Sequence, residues 1–388
     1  MGWVGSMVEL PARASVVVVG GGVVGASTLF HLAAAGCRDA VLVERDTLGS
    51  GSTGAAAGGI RAQFSDELNV RIARECIARF DRFPDEVGGE IGYHRCGYLF
   101  LLRADSVLPF TASVELQRSL GVDTALLTPA EAAAIVPRLR VDDLAAATFN
   151  PEDGTADPGA VVSAYAAAAR RMGARVVQGT EVQRVVVEAG RVAGVETSAG
   201  TISCERVVCA AGVWSRELAA TVGVDLPVRP DRRYVYVADA GARGGAGLPA
   251  DLPLTIDFAT GLYLHRERPG SPRVLVGGPW SSVDDLAPVA LHRLPGLADA
   301  TIRPGWSGLY EMSPDHNAIV GAADEPGGFL YATGFSGHGF QQAPVVGDYL
   351  AALALGLPPP LDLSPFSVAR FSDADADAGS QRPEAHVV

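Results

Sequence analysis

The chain contains no lysine: its 31 basic side chains are all arginine, set against 44 aspartates and glutamates, for a formal net charge of −13. That balance excludes nucleic acid and anionic membrane surfaces as general partners, because phosphate recognition needs a dense positive surface. The missing lysine itself reads as a compositional bias. Cysteine is scarce too. The five (Cys37, Cys76, Cys96, Cys204, Cys209) are odd in number, scattered and free of any C-x-x-C pair. Neither a disulfide framework nor a zinc site is expected, no metal is called for, and reduced thiols point to a cytoplasmic protein. Also missing is any apolar run of the ~18 residues that span a bilayer, and residues 1–15 lack a basic stretch leading into an apolar segment. Neither a membrane span nor a secretory leader is expected.

What is present is a well-buried composition, 48% hydrophobic and 19% charged over 388 residues, long enough for two domains. Ser15–Gly20 (SVVVVG) is a continuous β-branched run, as in a parallel strand buried on both faces. Gly20-Gly21-Gly22-Val23-Val24-Gly25 follows and opens a small-residue helix over 26–35, and Ala40–Val43 is a second strand ending at Glu44. Residues 15–44 therefore read as one βαβ unit. In this unit Gly20 permits the tight turn, Gly22 lets the backbone approach a pyrophosphate, and Gly25 lets helix pack on strand. Val23 and Val24 present the amides of the helix N-terminus to the phosphates. Glu44, about twenty residues on, is placed to accept hydrogen bonds from ribose hydroxyls, with Arg45 beside it. An acidic residue there disfavours a 2′-phosphate, leaving FAD or NAD.

Further along, 66–83 reads as an amphipathic helix, 93–103 as a strand, Thr128–Ile135 as a helix with a capping box, and Asp157-Pro158 as a helix start running to about Met172. Strand patterns fill 174–177, 180–187, 192–196 and 207–211, alternating strands fill 228–278, and a strand at 329–333 leads through glycines into a helix from about Pro344 to Leu355. The expected architecture is α/β. It combines a Rossmann-type domain assembled from 14–90, 150–222 and 303–370 with a second domain from 91–149 and 223–302 built on a mixed, largely antiparallel sheet. Residues 1–13 and 372–388 read as disordered tails.

Three segments decide the nucleotide. Residues 51–64 (GSTGAAAGGIRAQF) form a small-residue loop, 206–215 (RVVCAAGVWS) a strand followed by a Gly-x-Trp turn, and 306–321 with 331–344 (YATGFSGHGFQQAP) a strand–turn–helix. From Ser15 to about Leu357 the chain resembles the FAD-dependent amine and amino-acid oxidoreductases, the family of D-amino-acid oxidase, glycine oxidase and sarcosine oxidase. The runs GSTGAAAGGIRAQFS and ATGFSGHGFQQAP also resemble the FAD-dependent oxidoreductase domain-containing proteins.

The resemblance implies FAD rather than NAD. It assigns Ser52, Thr53, Gly58 and Gly59 to the loop beside the flavin, and Val182, Ala211, Gly212 and Trp214 to further cofactor contacts. Gly334, Gly337, His338, Gly339 and Gln341 fall on the flavin side, where backbone amides can stabilise charge on the reduced ring. Arg61 stands where the sarcosine oxidases hold the substrate carboxylate, a task suited to its bidentate fork. Gln341 replaces a lysine that shares it. Tyr263 stands where a lysine associated with oxygen activation is expected, and His265 is a weaker catalytic candidate. Gly308 replaces the cysteine that bonds the flavin in monomeric sarcosine oxidases, so the FAD is expected to be non-covalent.

The implied reaction is hydride transfer from the carbon beside a neutral amine nitrogen, giving an imine that water hydrolyses. The donor would be an N-methyl amino acid, a D-amino acid or a cyclic imino acid, and the final acceptor O2 or another oxidant. Two alternatives stay open, a flavin-containing assembly protein in which FAD is structural and a tailoring oxidase acting on a biosynthetic intermediate.

Overall fold

The computed structural model describes residues 10–239, 248–371 and 383–387. Its first sheet has six strands in the order Ile319–Ala322, Phe329–Thr333, Arg206–Cys209, Val16–Val19, Val41–Val43, Arg175–Val177. All neighbours are parallel except the first pair. Val16, Val17 and Val18 are fully buried, as the unbroken β-branched run requires of a strand covered on both faces. The helix Val23–Ala34 lies over this sheet and packs against Gly339–Leu355 and Pro158–Arg171.

A second sheet has eight strands, ordered Thr301–Met312, Arg229–Asp239, Arg273–Gly278, Leu262–Arg266, Leu254–Asp257, Tyr98–Leu102, Ala146–Asn150, Ala125–Leu127. It is antiparallel except where Leu254–Asp257 meets Tyr98–Leu102. The fold is thus the expected mixed α/β type. A three-stranded meander (Val182–Glu188, Arg191–Thr197, Gly200–Ser203) attaches to the first sheet, with Val192 bonded to Gly327 O.

Local chemistry sets the ends of the helices. Asp66 accepts the amides of Leu68 and Asn69 at the start of Glu67–Asp81, and Thr128 with Glu131 forms both halves of a capping box. Asp157 caps Pro158–Arg171 through the Ala160 amide.

Four features depart from the sequence expectation. The helix Ala104–Ser119 carries Pro109 inside it and buries only a few side chains, so it has no clear apolar stripe. The helix Gly339–Leu355 starts well before Pro344 and runs through it. Burial against the two neighbouring helices outweighs the amide bond that proline removes. The strand Thr301–Met312 is hydrogen-bonded into the eight-stranded sheet along its whole length with Arg229–Asp239, although most of it was grouped with the nucleotide-binding stretches.

The tails differ most. Arg13 bridges to Ser203 and Leu10 packs on the adjoining core. Residues 383–387, expected within a disordered tail, pack into the protein with Glu384 and His386 buried. A hydrophilic composition did not prevent this because the Glu384 carboxylate is paired with Ser65 and Asn69. The acidic run at 372–382 lies outside the described residues.

Candidate active site

Between the two sheets lies a cavity of about 580 Å³, within the range of ligand sites. One end is the glycine turn. Gly20 has φ +106° and a Cβ there would collide with the carbonyl of Ala210, while a Cβ on Gly25 would strike the carbonyl of Gly20. Only glycine fits either position. Gly22 caps the helix Val23–Ala34 without a side-chain hydrogen bond, and Val23 donates to Thr53 Oγ1 at 3.1 Å. The helix therefore turns an amide-rich, positive end to the cavity, suited to a pyrophosphate.

Glu44 closes this end. Its carboxylate accepts the amides of Gly21 at 2.6 Å and Asp46 at 2.8 Å, which fixes an acceptor at the rim beside Arg45. The Arg45 guanidinium lies 3.7 Å over the Trp214 ring, and that ring stays 39% exposed. Val182, Ala211 and Gly212 line the same region. A helix N-terminus whose cap residue, Gly22, supplies no side-chain acceptor, a fixed carboxylate and a flat, partly exposed aromatic surface match the phosphates, ribose and adenine of a dinucleotide. The residues present fit FAD.

Along the middle run Ser52, Gly58, Gly59 and Gly308. Ser52 donates to Leu309 O at 2.6 Å and Trp306 Nε1 to Ala55 O at 3.0 Å, so the small-residue loop is tied to the eight-stranded sheet. At the far end stand Gly337, His338, Gly339, Gln341, Arg61 and Tyr263. Tyr263 is partly buried, and its ring occupies the place a Cβ on Gly277 of the paired strand would take.

His338 Nε2 bonds His316 O at 3.0 Å, and its ring meets Phe64 edge-on at 5.3 Å. Burial first, then the Arg61 charge, push its pKa down to about 4, so it is neutral near pH 7. Gln341 Oε1 accepts the Arg61 amide at 2.6 Å. It thereby holds the backbone of the residue whose task it was expected to share.

Arg61 is buried, stacked 4.0 Å over Phe64, and its loop is anchored by Asp153, which accepts the amide of Ala62 at 2.8 Å and Gln63 Nε2 at 3.0 Å. Burial pushes Asp153 up to about 7. The guanidinium, however, is already engaged. Nη1 donates to Gln63 O and Nη2 to His386 O at 2.7 Å.

Three expected site residues do not line the cavity. Gly25 acts through packing, as its assignment required. Gly334 turns the chain after the strand Phe329–Thr333 with φ +70°, and its amide points to the Glu311 carboxylate. His265 is a correction: it lies one pleat beyond Tyr263, is buried, and its Nδ1 bonds Arg266 O at 2.7 Å.

Several lining residues escaped the sequence reading. Glu311 accepts Thr333 Oγ1 at 2.8 Å, and burial pushes it up to about 7. Arg233 lies 5.4 Å over the Tyr310 ring and is the second cation at this end among the described residues. Val387 also lines the cavity. Glu311 sits inside the 306–321 run already singled out, whereas no local pattern marks Arg233 or Val387.

A family model described as FAD dependent oxidoreductase (DAO) matches residues 15–353. The chain belongs to that family. It is 31% identical to FAD-dependent oxidoreductase domain-containing protein 1 of Xenopus laevis, covering 93% of this chain and 83% of that protein. It is 30% identical to 4-methylaminobutanoate oxidase (formaldehyde-forming) of Paenarthrobacter nicotinovorans over 94% of this chain, but spans only 46% of that protein's length. Among solved structures, L-proline dehydrogenase from P. horikoshii superposes with TM-score 0.84 at 32% identity, covering 93% of this chain and 98% of that one. As a member of this family, the chain is an FAD-dependent oxidoreductase. Among the described residues no helix is long and apolar enough to cross a membrane.

Proposed function

We propose that this protein oxidises the C–N bond of a small carboxylated amine, an N-methyl amino acid, a D-amino acid or a cyclic imino acid. The observation that carries the reading is the pairing, at one end of the cavity, of two cations, Arg61 and Arg233, with the neutral His338 and the partly buried Tyr263. Bound FAD supplies the two-electron acceptor that takes hydride from the carbon next to nitrogen, and the resulting imine hydrolyses in water. The chain supplies orientation. A guanidinium holds the substrate carboxylate, Tyr263 and His338 exclude water from the reacting face, and no residue need remove a proton if the amine binds uncharged.

The other assignments complete this reading. Glu44 holds the ribose, the amides after Gly22 hold the pyrophosphate, and Trp214 and Val182 flank the adenine. Gly337 and Gly339 present amides to the pyrimidine end of the flavin. FAD is held non-covalently, with Gly308 against Ala55 where a thiol would have to reach the ring. The five cysteines are free, which supports a reducing, cytoplasmic setting.

A second reading, a flavoprotein in which FAD is structural, draws support from the Arg61 guanidinium being committed to main-chain carbonyls. Incubation with a panel of carboxylated amines separates the two. Oxidation of an acyclic amine releases a carbonyl compound and an amine in equal amounts, oxidation of a cyclic imino acid yields a cyclic imine in equilibrium with its ring-opened amino-carbonyl form, and a structural flavoprotein yields none of these.

A further inference from the structure

Residues 384–386 sit at the substrate end of the cavity as a bound ligand would. The Glu384 carboxylate is fully buried and accepts the Ser65 amide at 3.1 Å, Ser65 Oγ at 2.9 Å and Asn69 Nδ2 at 3.3 Å. Asn69 is held in place from both sides, by Asn317 Oδ1 at 2.7 Å and by Gln342 Nε2 at 2.9 Å. The donors therefore form a fixed anion receptor rather than flexible surface groups. Two residues on, the His386 ring is stacked on Phe110, with centroids 3.9 Å apart and planes 12° apart, and Phe258 meets it edge-on at 6.4 Å. Between carboxylate and ring, the main-chain oxygen of His386 accepts from Arg61 at 2.7 Å.

The fit is incomplete at one point: His386 Nε2 is buried with no hydrogen-bond partner among the described residues. A polar atom left unpaired in an aromatic box weakens the resident occupant against a competitor. Residues 383–387 join no sheet, and their main-chain ties to the rest of the described chain are scattered single hydrogen bonds, among them Glu384 N to Asp315 O at 3.0 Å, Ala385 N to Ser65 Oγ at 2.9 Å and Arg61 Nη2 to the His386 oxygen at 2.7 Å.

We propose that Ser65, Asn69, Arg61 and Phe110 form a carboxylate-and-ring subsite of the substrate pocket, and that residues 384–386 are its displaceable internal ligand. Amines carrying a carboxylate, and most strongly those with a planar substituent, compete with the segment for this subsite. The proposal rests on the reading of the cavity's far end as the substrate site. While the segment is seated, Arg61 is bonded to it and the enzyme is held back.

The test is a calorimetric titration of the synthetic heptapeptide of residues 382–388 into FAD-loaded protein shortened by those residues. The peptide is expected to bind. A Glu384→Gln peptide is expected to bind at least about tenfold more weakly, since a charge-assisted receptor is lost, and N-methylglycine or phenylglycine should displace the native peptide. A shortened protein that retains FAD but does not bind the peptide overturns the proposal. Binding is read without turnover, so a peptide that binds to a protein oxidising no amine sinks the oxidation reading and leaves the subsite standing. If the shortened protein does not fold, hydrogen exchange on full-length Glu384→Gln replaces it. Faster exchange at the Ala385 and His386 amides supports the proposal, and exchange equal to that of the unaltered chain overturns it.

Discussion

Arg61 and His386 are joined by a hydrogen bond of 2.7 Å across 325 positions of sequence, from guanidinium Nη2 to main-chain oxygen. The bond places the residue expected to receive the substrate carboxylate under a segment of the same chain. Arg61→Ala is expected to raise KM for carboxylated amines at least about tenfold, as loss of a charge-assisted pair implies, while FAD stays bound. Steady-state kinetics with a flavin-to-protein absorbance ratio checks both halves. Loss of flavin with KM unchanged in the remaining holoenzyme would assign Arg61 to the cofactor instead.

Arg233 offers an independent comparison. It lines the same end of the cavity, and its Nη1 is paired with Asp231 at 2.6 Å. If Arg61 is the carboxylate receptor, Arg233→Ala changes KM by less than about threefold, a shift on the scale of a partly exposed ion pair. A larger effect than that of Arg61→Ala would move the receptor to Arg233.

Gly20→Ala should yield protein with little or no bound flavin. The added Cβ meets the Ala210 carbonyl at a position whose φ of +106° already disfavours it, and strain of this kind costs on the order of a few kcal/mol. Absorbance of the purified variant reads the outcome. A yellow Gly20→Ala protein with unchanged FAD affinity would show that the turn does not hold the pyrophosphate.

Gly277→Ala probes the other end. The new methyl falls on the Tyr263 ring, so the ring must move from its place beside the cavity. The expected result is a fall in kcat/KM of at least about tenfold with FAD retained, in line with the sensitivity of reaction geometry to small displacements. Unchanged kinetics would remove Tyr263 from the reacting face.

Buried histidines set the sign of the pH dependence of stability. Burial pushes His31, His265, His338 and His386 down from 6.5 to about 4. Between those values the unfolded chain binds protons that the folded chain refuses, so this stabilisation is present above about pH 6.5 and is lost as pH falls toward 4. Asp153 and Glu311, pushed up to about 7, act in the opposite sense, since the folded chain keeps their protons where the unfolded chain releases them. Four histidines outweigh two acids. Calorimetry from pH 7 to pH 5 should show Tm falling; a rising Tm would mean that the acids dominate.

Much of this was legible in the sequence because it is local. The turn at Gly20–Gly25, the strand Val16–Val19, Glu44 and the helix starts at Thr128 and Asp157 each follow from residues within a few positions of one another. The helix Ala104–Ser119 was not legible, because its pattern is weakly amphipathic and Pro109 interrupts it. His265 was misplaced because strand alternation gives the face but not how far along that face the cavity extends. Arg233 and residues 384–387 reach the site only through the tertiary fold. Their separation from Arg61 in sequence leaves no period or motif to read.

The most direct test is an anaerobic absorbance titration of the purified yellow holoprotein with N-methyl amino acids, D-amino acids and cyclic imino acids, followed by air. The account predicts that one class bleaches the flavin stoichiometrically, with the speed of recolouring in air distinguishing oxidase from dehydrogenase. A flavin that no carboxylated amine bleaches, in full-length and shortened protein alike, would contradict it.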